Sequence, residues 1–120
     1  MDMRRRMVLD AKVQLLKESF CRSLRERQVQ IDEQWQLCSR QESDPASAFE
    51  LYRLVHSLAG AAPSFGFDAL GQRAREVEIL MKVDKQAHLA NYPYAQHAKM
   101  EVLMRAMFAE MEQTASMADG

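Results

Sequence analysis

LVHSLAGAAPSFGF, residues 54–67, decides the reading of this chain. It sets His56 in an otherwise apolar helical run, follows it four positions later with Gly60, and places Pro63 three further on. An interior glycine costs a helix about 1 kcal/mol against alanine. A proline removes an N–H and crowds the carbonyl four residues before it. Both penalties fall beside the one titratable side chain of the run, so the question is what that histidine does.

The helical period answers where it points. Leu51, Val55, Leu58 and Ala62 form the core stripe of a helix starting at about residue 45 and continuing to Phe65, and His56 lies roughly 130° from the stripe's centre. His56 is therefore expected to face outward, with Tyr52, Arg53, Ala59, Gly60 and Pro63 on the same side. A packing glycine belongs on the buried face, whereas Gly60 by this count leaves bare backbone open to a visitor. Pro63 either ends the helix near Ala62, ahead of Gly66, or kinks the end of the His56 face toward a partner.

Working outward, the period stays helical. Val13, Leu16, Phe20, Leu24, Ile31, Trp35 and Cys38 recur at steps of three and four, with only Arg27 breaking the stripe between Leu24 and Ile31, which predicts one long amphipathic first helix. It is either continuous or interrupted near its start to leave a short extra N-terminal helix. RQESDPAS ends it, with Ser43 or Asp44 capping a second helix and Pro45 suited to its first position. Gly66 supplies the stop. Asp68, as N-cap or first-turn acid, opens a third helix through about Lys85 that carries Leu70, Ala74, Val77 and Met81 on one face. HLANYPY forms a loop before a fourth helix from about Pro93 to Thr114. Its apolar side includes Ala98, Val102, Ala106 and Ala109, with Met100, Leu103, Met107 and Met111 beside them. Four helices and short connections predict an all-α, antiparallel up-down four-helix bundle in one domain, 1–120.

Composition removes other classes. The 120 residues carry 16 basic and 17 acidic side chains, a net charge of −1, which argues against a nucleic-acid partner. Arg4, Arg5 and Arg6 read as a solvated, frayed end. No run of about 18 apolar residues exists to cross a membrane. Asp10, Lys12, Gln14 and Lys17 interrupt what would otherwise resemble a leader, so the reading is cytoplasmic. Cys21 and Cys38 lack metal spacing and read as small packing residues. His88, in the third loop, and His97, on the fourth helix, do not form a site, so no metal site is expected. No phosphate loop or kinase-like motif is present.

HSLAGAAPSFGFDALGQRAREVE, residues 56–78, resembles the signature of histidine-containing phosphotransfer (Hpt) domains: His-x-Leu-Lys-Gly, small residues, then a glycine ten positions after the histidine. His56, Leu58, Gly60 and Gly66 match, and Ala59 stands where the family usually has lysine. The resemblance implies a phosphorelay carrier: His56 accepts a phosphoryl group from a receiver-domain aspartate and passes it to another receiver, without kinase activity of its own. A neutral imidazole is a competent nucleophile for such a step. The resemblance further implies that Glu78 on the next helix holds the non-reacting ring nitrogen. Lys82, Arg75 and Arg53 are the candidates to compensate phosphate charge in place of the missing lysine. Tyr52, Ala59, Gly60, Pro63 and Ser64 are the candidate docking surface. The implied partners are response-regulator receiver domains and a hybrid sensor histidine kinase, with no cofactor on this chain, Mg²⁺ on the receiver, and a monomeric state. Two other readings stay open: an Hpt-like interaction module that carries no phosphate, and the dimeric phosphoacceptor module of a sensor kinase.

Overall fold

The computed structural model describes residues 2–39, 45–87 and 97–118, which form α1 (Met3–Ser39), α2 (Pro45–Ser64), α3 (Asp68–Ala87) and α4 (His97–Ser116). No strand occurs among the described residues. Each helix packs on two neighbours in a ring, α1 on α2 and α4, and α3 on α2 and α4, with no diagonal pairing among the described residues. The chain is thus an all-α four-helix bundle, and α2 with α3 makes its most extensive pairing. Leu24, Ile31, Leu51, Val55, Leu58, Leu70, Val77 and the α4 methionines fill the centre. Cys21 and Cys38 are both buried, as packing residues would be. The cap at Ser43 or Asp44, the HLANYPY loop and the expected helix start at Pro93 lie outside the described residues.

The turn between α2 and α3 is built by local chemistry. Gly66 adopts φ 85°, the left-handed region that favours glycine. Phe67 N–H donates to the Ala62 carbonyl at 3.0 Å and Gly66 N–H to the Pro63 carbonyl at 2.9 Å. Those two bonds satisfy the last carbonyls of α2 in the Schellman pattern. Gly71 N–H then donates to the Phe67 carbonyl at 3.0 Å, so Asp68 enters as a first-turn acid. Phe65 and Phe67 flank this turn and both stack on Phe20 of α1, at ring-centre distances of 4.9 and 5.9 Å. Pro63 sits inside the last turn of α2 and does not end the helix at Ala62.

A close approach fixes how α2 and α3 slide against each other. A Cβ added at buried Gly71 would come within 2.5 Å of Pro63 Cγ, closer than atoms tolerate. Gly71 is therefore the residue that lets α3 reach the proline ring.

Several expectations need correction. α1 is continuous from Met3, so there is no separate N-terminal helix. Arg4, Arg5 and Arg6 are exposed but helical rather than frayed: Asp2 caps them, its Oδ1 accepting the Arg4 N–H at 3.1 Å. Val13 and Leu16 are exposed, because α1 has 37 residues against 20 in each other helix and runs past the end of the bundle. On α4 the core stripe is Met100, Met104, Met107 and Met111, while Ala98, Val102 and Ala109 face out. Flexible methionines fill a seam that alanines are too short to reach.

Gly71→Ala should lower unfolding stability by about 1–3 kcal/mol, the cost of forcing extra volume into a closed contact. Gly60→Ala should be neutral or stabilise by up to about 1 kcal/mol from helix propensity, since a Cβ there meets nothing within 4 Å. Urea denaturation of the two variants checks both signs, and equal effects would show that the Pro63 contact is not a constraint.

Candidate functional site

His56 and Glu78 meet across the α2–α3 seam, each two helical turns from the elbow: His56 is seven residues before Pro63, and Glu78 seven after Gly71. His56 Nδ1 lies 2.9 Å from Glu78 Oε1. The imidazole is 64% exposed while the glutamate side chain is 10% exposed, so a buried acid holds an open ring. A carboxylate can only accept, which requires the proton of the neutral ring to sit on Nδ1. Nε2 is then the nitrogen with a free lone pair, on the ring edge away from Glu78.

The same Glu78 oxygen takes two further partners. Tyr52 Oη donates to Oε1 at 3.4 Å, and Lys82 Nζ stands 3.5 Å from it, one turn along α3. Burial pushes the Glu78 carboxyl up, but the His56 hydrogen bond and charge, together with Lys82, outweigh it and hold the group below its ordinary 4.5. The Tyr52 hydroxyl first, then the Glu78 carboxylate, hold the Lys82 ammonium above its usual value. Tyr52 also stacks on His56, with ring centres 5.8 Å apart and planes 13° from parallel.

The other expected residues divide. Gly60 is exposed with open space over its Cα, and Pro63 and Ser64 are exposed beside it, Ser64 Oγ donating to the Gly60 carbonyl at 3.2 Å. Ala59 is a correction: it is 3% exposed, not outward. It lies on the flank of α2 that α3 covers, so the buried arc reaches closer to His56 than the centre of the core stripe implies. Arg53 is also turned away. Its guanidinium grips Glu50, with Nε 2.9 Å from Oε2, and the pairing holds Arg53 above and Glu50 below their ordinary values. Arg75 is exposed and makes no ion pair among the described residues. Of the three basic candidates, Lys82 is the one the fold brings to Glu78. The stacking of Tyr52 was missed, although its position one turn before His56 carried the signal.

Among the described residues no group of His, Cys, Asp and Glu could hold a metal ion, and no helix is long and apolar enough to cross a membrane.

Because the folded-state value of Glu78 is depressed, its stabilising contribution is fully present above about pH 4.5 and is lost as pH falls through the folded value. The stability gap between the native chain and Glu78→Gln should therefore be wider at pH 7 than at pH 3. Urea midpoints at the two pH values test this, and a gap that holds constant or widens in acid would contradict it.

The family model of the Hpt domain matches residues 15–114 of this chain. No curated protein and no solved structure matches it.

Proposed function

The chain belongs to the Hpt domain family, the histidine phosphotransfer modules of two-component signalling, and we propose that His56 is its phosphoacceptor in a relay between receiver domains. The supporting observation is the pairing of an exposed imidazole with a buried carboxylate at 2.9 Å, which leaves Nε2 as the free nucleophile. In the step, the Nε2 lone pair attacks the phosphorus of a receiver's aspartyl phosphate. The bond from phosphorus to the aspartate oxygen breaks, and the aspartate leaves as carboxylate. The phosphorylated ring keeps its Nδ1 proton and is cationic, and Glu78 faces that charge. The reverse step hands the group to the next receiver.

Phosphoryl transfer relies on positioning and charge compensation. Magnesium and the acid pocket that holds it are assigned to the receiver. On this chain Lys82 is the compensating cation, with Arg75 exposed on the same face of α3. Gly60, Pro63 and Ser64 give the receiver a low surface on which to approach the ring, and Tyr52 borders it. Ala59, at the seam, shapes the backbone there but offers little side chain to a partner. A hybrid sensor kinase fits as the source of the phosphorylated receiver. A monomeric chain in the cytoplasm suits this role, and four helices from one chain weigh against the dimeric kinase module, which needs a second copy to complete its bundle.

Incubation with phosphorylated receiver domains should place acid-labile, base-stable phosphate on the chain. His56→Gln should abolish that label while leaving the melting temperature nearly unchanged, because the ring is outside the core. Label retained on another histidine would overturn the assignment. Lys82→Ala should lower the steady-state phosphorylated fraction by about two- to fivefold, the size of a screened charge pair, and an unchanged fraction would remove Lys82 from the site.

A further inference from the structure

We propose that Tyr52 is a positioning residue for His56: its ring forms a wall against one face of the imidazole and keeps Nδ1 on Glu78 and Nε2 pointing outward. This rests on the reading of His56 as phosphoacceptor.

An imidazole exposed to 64% gets no orientation from the core. Its hydrogen bond to Glu78 fixes one direction and leaves the ring free to swing about that bond. Tyr52 lies one turn earlier on α2, where residues four apart meet on the helix surface. Its ring is nearly parallel to the imidazole, 13° between planes and 5.8 Å between centres, so a swing toward that side meets carbon. Tyr52 is itself anchored, being partly buried and packed against the hydrophobic core. Core rigidity thereby reaches an exposed ring through one intermediate side chain.

Tyr52 touches the remaining members of the site as well. Its hydroxyl reaches Glu78 Oε1 at 3.4 Å, and Lys82 Nζ lies 5.9 Å from its ring centre. A hydrogen bond of 3.4 Å is long, beyond the usual range for an O–H donor. The stacked ring therefore contributes more than the hydroxyl, and removing each part separately should show unequal effects.

The test uses the full chain with ¹⁵N-labelled histidine and two variants. Nitrogen chemical shifts report which ring nitrogen of His56 carries the proton, and acceptance from a phosphorylated receiver reports the consequence. The native chain should show the Nδ1–H tautomer. Tyr52→Phe keeps the stack and should retain that tautomer, with acceptance within about twofold of native. Tyr52→Leu keeps apolar packing but removes the wall. It should shift the folded population toward the Nε2–H form and slow acceptance by about three- to tenfold, an aromatic pair's contribution expressed as a ratio. A Tyr52→Leu chain that melts earlier but keeps the native tautomer when folded would overturn the proposal, because that is the behaviour of a packing residue. So would equal losses in the Phe and Leu variants. If the native chain takes no phosphate, the phosphoacceptor reading fails, and the tautomer comparison still decides the role of Tyr52.

Discussion

Everything at the site depends on the register of two helices, and that register is set where Gly71 lets α3 close on the Pro63 ring. From this fixed point α2 runs two turns back to His56 and α3 runs two turns on to Glu78. Two rods of equal pitch, pinned at one end and joined by a turn that the left-handed Gly66 completes, bring those side chains level. A slip of one helical position would rotate Glu78 by about 100° and take the acid away from the imidazole. The proline and glycine that look unfavourable inside helices are thus the elements that aim the histidine. Gly60 is a different case, since it touches nothing and leaves room beside the ring.

Once the register is set, electrostatics determines the rest. A carboxylate with one-tenth of its side chain exposed is tolerated only with partners that repay its lost hydration. Glu78 obtains three on a single oxygen: His56, Tyr52 and Lys82. Each is attached to a different constraint. His56 is the exposed member, Tyr52 is packed against the core, and Lys82 is placed by the α3 turn. The acid accordingly stays ionised, fixes the ring proton on Nδ1 and leaves Nε2 toward solvent.

The bundle and the outward face of His56 were legible in the sequence because both follow from period: apolar steps of three and four give four helices, and the α2 stripe turns His56 outward, whereas Glu78 as its partner came from the likeness to the Hpt signature and not from period. What failed to show depends on which neighbour covers each face. Ala59 is adjacent to the core stripe in angle, and only the packing of α3 on that flank decides that it is buried. On α4 the alanines and methionines both recur at helical spacing, so period alone does not choose between them; the width of the space to be filled does. Val13 and Leu16 continue the α1 stripe faultlessly, yet the bundle ends before it reaches them. Arg53 was counted near His56 by spacing, but Glu50 at i−3 offers it a closer partner.

The absence of the family's lysine becomes intelligible in this setting. At position 59 a lysine would have to thread its stem out of a seam where the present alanine is 3% exposed. Lys82 instead approaches from α3, already beside the acid. Under the proposed role the site passes from near neutrality, with Glu78 and Lys82 offsetting each other, to a net negative charge of about one when a phosphoryl group arrives, since the cationic ring offsets only part of the phosphoryl charge. Lys82 then faces two claims, from Glu78 and from the phosphate, and cannot satisfy both as well as two cations would. On the proposed reading, a phosphohistidine held this way would sit higher in free energy than one with a dedicated lysine. That would lower its accumulation and favour its onward transfer, a property that suits a carrier more than a store.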